Sequence, residues 1–223
     1  MSLWEKVHAR LRGLPRTWRE LDRSLALLAL LRQLGWQATA NRGRPVDGRG
    51  QPVPWWTHGV ADWLAPSLRP TDRVFEWGSG HSTLWLAAHV GTVVSVEDVA
   101  PFAASLRQRA PANVDILVRV DESYATAITE HPHHFDVIVI DGQVRPTCAA
   151  LAPAHLTREG LILYDNSDRP DATVPLQNLA AAGFYRVDFC GLVSGSHHFN
   201  ATSALFRNPE RWLRGPAPEW FGY

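Results

Sequence analysis

The chain has 223 residues, 45% of them apolar, which suits one large domain with a well-filled core. Lys and Arg number 22 and so do Asp and Glu, so the formal charge is zero and no general attraction to nucleic acid or an anionic membrane is expected. Two cysteines, Cys148 and Cys190, exclude a disulfide framework, fit a reducing cytoplasm and read as small buried hydrophobes.

Residues 1–36 read as helical. Leu21, Leu25, Leu28 and Leu31 recur at three- and four-residue spacing and Gly35 stops the run. Arg10, Arg12, Arg16, Arg19 and Arg23 make this end basic. The leucine stripe needs an apolar partner, so the segment is expected to be a helical cap or a contact between copies of the chain. "SLALLALL" at 24–31 is too short to span a bilayer and lacks a cleavage site, so no membrane segment is expected. Residues 37–56, rich in Gly, Pro, Asn and Asp, read as a long loop ending in Trp55 and Trp56. Two adjacent indoles are costly to leave in water, which favours a loop folded over a site. A short helix follows at 57–68, stopped near Pro70. This divides the chain into a cap and lid (1–70), a core (71–210) and a tail (211–223).

From residue 72 the chain alternates. Strand-like runs are "RVFEW", "TVVSVE", "VDILVRV", "FDVIVID" and "GLILYD", with helical stretches at 82–90, 99–110, 122–130, 146–156 and 172–182. Strands this apolar are buried on both faces, so the class is α/β, doubly wound on a mostly parallel sheet. "FYRVDFCGL" and "TSALFRN" close the pattern with no room for a crossover helix, so they must pair antiparallel. "HPHH" at 131–134 has no second ligand cluster and reads as a loop.

The chemistry begins at "EWGSGHST", Glu76 to Thr83. Gly78 and Gly80 directly after a strand let a ligand approach the backbone, and the helix that follows aims its free amides at the turn. Ser79 and Ser82 share that turn. The third glycine of the dinucleotide pattern is missing. Glu97 ends the next strand nineteen residues after Gly78, placed to accept from both ribose hydroxyls. Asp98 shares that role or caps the next helix. This set serves NAD, FAD and S-adenosylmethionine alike. Glu76 would repel a pyrophosphate but not an ammonium or a sulfonium. Asp141 ends the fourth strand at the edge where open sheets bind ligands, and the closing hairpin is foreign to dinucleotide folds.

"VFEWGSGHSTLWLA", "VVSVED", "FDVIVIDG" and "GLILYDNSD", in order and at these spacings, resemble the class I S-adenosylmethionine-dependent methyltransferases over about residues 72–207. The resemblance implies a seven-stranded sheet of order 3-2-1-4-5-7-6 with the last strand antiparallel. It also implies cofactor contacts at Glu76, Gly78, Gly80 and Glu97, and an adenine contact at Asp121, which is otherwise a helix cap.

Asp141, Asp165 and Asn166 fall on the same rim, an all-oxygen set suited to Mg²⁺. The trio resembles the metal-binding Asp and Asp-Asn of the catechol and caffeoyl-CoA O-methyltransferases. Those catechol enzymes place a lysine base three residues after the first aspartate; here that position is Val144, followed by Arg145. Without a metal, Asp141 is a general base or substrate anchor, and Arg145 and Arg169 are clamps for a carboxylate or partners of Asp168 and Asp171. Trp55, Trp56, His58, His197 and His198 supply aromatic faces and imidazoles for the acceptor, with His58 placed to take its proton. The expectation is a cytoplasmic enzyme that methylates a small-molecule oxygen, or secondarily nitrogen, using S-adenosylmethionine with or without Mg²⁺. Its rivals are an NAD(P)-linked oxidoreductase and a non-catalytic cofactor-binding scaffold.

Overall fold

A computed structural model describes residues 16–213. The arginines at 10 and 12 and most of the C-terminal tail lie outside the described residues. Seven strands form one sheet: β1 (Arg73–Trp77), β2 (Thr92–Glu97), β3 (Val114–Val118), β4 (Phe135–Ile140), β5 (Leu156–Asp165), β6 (Tyr185–Leu192) and β7 (Phe199–Phe206). Their order is β3-β2-β1-β4-β5-β7-β6, with β7 antiparallel to both neighbours, as the resemblance implies.

The strands are apolar on both faces because helices cover both. Phe75, Trp77, Ile138, Ile140 and Tyr164 point to one face. There they meet α6 (Glu122–Thr126), α7 (Arg145–Leu151) and α8 (Thr173–Ala181). Val74, Val137, Val139, Leu161 and Leu163 point to the other, against α3 (His58–Leu64) and α4 (His81–Ala87). α5 (Ala100–Arg107) lies beside β3 through Ala103, Leu106 and Ile116.

The ends of the chain join this second face. Val60 and Leu64 of α3 and Trp212 of α9 (Pro209–Leu213) share one apolar cluster with Val74. Arg211 donates to Asp72 with both side chains buried. Packing therefore runs continuously across residues 70 and 210.

α1 (Arg16–Gln33) stops where Gly35 turns left-handed, and its Leu21, Leu25 and Leu28 stay about half exposed. The segment read as an uninterrupted loop opens with a helix, α2 (Trp36–Arg42). Thr39 explains it: its hydroxyl donates to the Val46 carbonyl and accepts from the Val46 amide, folding the loop back on the helix. Cys148 is buried as expected, whereas Cys190, on edge strand β6, is exposed. No described helix is long and apolar enough to cross a membrane.

Candidate active site

β1 and β4 lie side by side while their chain connections leave in opposite directions, and a cavity of about 860 Å³ opens at the carboxyl ends of the strands there. Gly78, Ser79, Gly80 and Ser82 form one wall. Gly78 has φ 98°, and a Cβ on it would lie 2.7 Å from the Asp141 carbonyl oxygen, so only glycine lets the two strand tips meet.

Glu76 lies just beneath this turn, fully buried. Register sets Ser95 of β2 beside it, and α4 brings Thr83. Its Oε2 accepts from Thr83 Oγ1 at 2.5 Å and from Ser95 Oγ at 2.8 Å. Its Oε1 has no partner. Burial pushes the carboxyl above the ordinary range, and the hydroxyls of Ser82, Thr83 and Ser95 pull it back in part. An orphaned buried carboxylate oxygen under a glycine turn fits an ammonium group and repels a phosphate.

Glu97 and Asp98 line the next wall at the tip of β2. Glu97 Oε1 accepts from the Val99 amide at 2.9 Å. Burial, with Asp98 beside it, holds Glu97 above the usual carboxylate range. Asp121, which precedes α6 with φ 51°, is exposed and not on the cavity wall. Tyr124, three residues on, does line the cavity, and its hydroxyl accepts from the Gln143 amide.

The β4–β5 rim is organised by Arg145. Its Nε donates to the Gly142 carbonyl at 3.0 Å. Its Nη1 donates to the Asp165 carbonyl at 2.7 Å and to Asn166 Oδ1 at 2.8 Å. Its Nη2 donates to the Asp141 carbonyl at 3.2 Å and to Asp141 Oδ1 at 3.0 Å. A guanidinium has five N–H donors, so every one is committed within the protein. Arg145 braces the rim and has no donor left with which to clamp a substrate.

The same bonds test the metal trio. Asp141, Asp165 and Asn166 do meet, but the guanidinium already takes Asp141 Oδ1 and Asn166 Oδ1. Trp56 Nε1 donates to Asp141 Oδ2 at 3.0 Å, and Thr202 Oγ1 donates to Asp165 Oδ1 at 2.6 Å. A dication bound here would sit against the fixed positive charge of the guanidinium, which lies on oxygens of two of the three residues. The residues do not fit Mg²⁺. Among the described residues, no group of three or more His, Cys, Asp or Glu is arranged for a metal.

Asp141 faces the cavity, and its carboxyl is held well above the ordinary range. Burial is the main cause and the Asp165 carboxylate the next, with Arg145 offsetting part. Burial also raises Asp165, while Thr202 pulls it back.

The lid is made of two distant loops stitched together. Trp36 Nε1 donates to the Ser196 carbonyl at 2.9 Å, and Trp55 Nε1 to the Ser194 carbonyl at 2.8 Å. Thr57 and Val193 form an isolated antiparallel bridge. Trp55 lines the cavity, whereas Trp56 is 1% exposed and meets Asp141 from behind. His58 sits in the seam, 3.3 Å from Ser194 Oγ, with burial lowering its pKa. His197 is edge-on to Trp36 and His198 is exposed; neither these nor His58 is on the cavity wall. Arg169 is on the wall.

Sequence reasoning did not single out His81, Arg44, Arg109 and Asn200 on the same wall. Buried His81 offered a signal, standing first after the glycine turn; its Nδ1–H donates to the Pro45 carbonyl and its Nε2 accepts from Arg109 Nη1 at 3.2 Å.

No family model matches the chain, and no curated protein matches its sequence. Solved structures do. An O-methyltransferase from Bacillus cereus in complex with SAH is similar at TM-score 0.57 and 17% identity, over 78% of this chain and 89% of that one. An rRNA methylase from Streptococcus thermophilus is similar at TM-score 0.54 and 13% identity, over 66% and 93%. Spermidine synthase from Thermotoga maritima is similar at TM-score 0.55 and 12% identity, over 72% and 60%. With the strand order and the antiparallel seventh strand, these likenesses establish that the chain has the class I S-adenosylmethionine-dependent methyltransferase fold.

Proposed function

We propose that the protein methylates an oxygen of a small cytoplasmic molecule, with S-adenosylmethionine as donor and without a metal. The observation that carries the reading is the Glu76 carboxylate, buried with one oxygen unpartnered beneath the glycine turn that walls the cavity, while Glu97 and Asp141 stand on the wall itself. Bound S-adenosylmethionine supplies the electrophilic methyl group.

In this reading Glu76 holds the ammonium, Gly78 and Gly80 leave room for the chain beside it, and Glu97 accepts from the ribose hydroxyls. Asp141 stands on the acceptor side and takes the proton as the acceptor oxygen gains the methyl. Its raised pKa makes it a stronger base than an exposed carboxylate. Arg145 and Trp56 fix its two oxygens, so the carboxylate meets the acceptor in one orientation. The bonds that stitch the lid hold Trp55 on the cavity wall.

Calorimetry with S-adenosylhomocysteine against NADH tests the reading: the first is expected to bind and the second is not. Preference for NADH would sink it. Once an acceptor is found, turnover is expected to be the same in EDTA as in Mg²⁺, and dependence on the ion would overturn the metal-free part.

A further inference from the structure

We propose that the methyl acceptor is a polyanion, a small molecule bearing phosphate or more than one carboxylate, gripped by arginines around the cavity mouth. The proposal rests on the reading above that the cavity holds S-adenosylmethionine.

Arg42, Arg44, Arg109 and Arg169 all line the cavity. No ion pair among the described residues includes any of them. They come from three separate places: the end of α2 with the loop after it, the turn after α5 and the turn after β5. A chain of zero net charge has thus gathered around one opening four guanidinium groups without a carboxylate partner among the described residues.

All four are exposed, and one of them, Arg109, is also held by a hydrogen bond. The buried His81 ring donates Nδ1–H to the Pro45 carbonyl, which leaves the Nε2 lone pair to accept from Arg109 Nη1 at 3.2 Å. That bond aims Arg109, and the contact to Pro45 ties the strip carrying Arg44 beside it. Burial and the two nearby arginines lower the His81 pKa while the Pro45 contact raises it, a net direction that favours the neutral ring this arrangement needs.

Four acids share the wall, and three of them, Glu97, Asp141 and Asp165, have donors of their own. Asp141 and Asp165 are bound by Arg145, Trp56 and Thr202. Glu97 accepts from the Val99 amide and, with Asp98, faces the ribose in this reading. S-adenosylmethionine brings a sulfonium, an ammonium and a single carboxylate, so it adds net positive charge and answers one arginine at most. The remaining guanidinium forks match oxyanions, which they hold through paired, charge-assisted bonds.

The test uses the full chain and two probes, pyrophosphate and citrate, titrated by calorimetry into protein saturated with S-adenosylhomocysteine. At least one is expected to bind. Arg44→Gln and Arg169→Gln should each weaken it about tenfold, with S-adenosylhomocysteine affinity unchanged within twofold. Arg186→Gln, which removes an equal charge from an Arg186–Asp188 pair on β6, should leave both unchanged. Failure of both probes to bind, or equal binding by all variants, overturns the proposal. So does a tenfold loss of S-adenosylhomocysteine affinity in both Arg44→Gln and Arg169→Gln, because the arginines would then serve the cofactor. If S-adenosylhomocysteine itself does not bind the wild type, the methyltransferase reading falls first and takes the charge count with it. Unchanged melting of the exposed-arginine variants confirms that each is folded.

Discussion

Glu76→Gln should move stability and cofactor affinity in opposite directions. Glutamine has the same shape, and its amide oxygen can keep accepting from Thr83 and Ser95. Its NH₂ then stands where the unpartnered Oε1 was, a donor facing the ammonium. Losing a hydrogen bond to a charged group costs about 1.5–3 kcal/mol. At about 1.4 kcal/mol per tenfold, S-adenosylhomocysteine should bind roughly 10- to 100-fold more weakly. Without cofactor the sign reverses. The folded pKa of Glu76 is raised, so its contribution to stability is full below the unfolded carboxylate value and is lost as pH rises through the folded one. The glutamine variant escapes that loss. At pH 8 it should be more stable by about 1 kcal/mol, a rise of ~2–4 °C in melting temperature for a chain of this size, with no gain near pH 4. Calorimetric titration and scanning calorimetry read the two effects. Affinity within threefold of wild type, or a joint fall in affinity and stability, would refute the role given to Glu76.

Trp56→Phe keeps most of the packing and removes the donor to Asp141, so kcat should fall about tenfold with S-adenosylhomocysteine affinity unchanged; equal losses in both would make the indole packing alone. Turnover should rise with pH through a midpoint above the ordinary carboxylate range, because Asp141 must lose its proton to act as a base. A flat profile from about pH 5 to 9 argues against it. Arg145→Lys replaces five donors by three, and should lower stability by about 2 kcal/mol, which thermal melting reads as a fall of roughly 4–8 °C. Trp212→Ala empties a buried site and frees the Glu159 carbonyl, so chemical denaturation should show a loss of about 3–5 kcal/mol; a loss under about 1 kcal/mol would show that α9 does not close the core.

Much of the fold was legible because strands and turns follow from neighbouring residues. Apolar runs with no polar face predict a sheet covered on both sides, and Phe75 and Val74 duly face opposite layers. The glycine turn, Glu97 nineteen residues on and Asp141 at a strand tip follow from the same local pattern, and all three line one cavity. Local composition misread α2, since turn-forming residues hid a helix that Thr39 stabilises from Val46.

The sequence by itself determined the layers, the strand tips and the acids that stand on them. Only the tertiary structure decided what those acids touch. Trp56 reaches Asp141 across 85 residues, and Trp36 reaches the hairpin loop across 160. Arg145 lies beside the strand it braces, yet whether its guanidinium reached outward to a substrate or inward to Asp141, Asp165 and Asn166 depended on β5 arriving next to β4. Backbone periodicity is set by adjacent residues, whereas a long side chain takes the partners that packing brings within about 3 Å, and no local pattern records which those are.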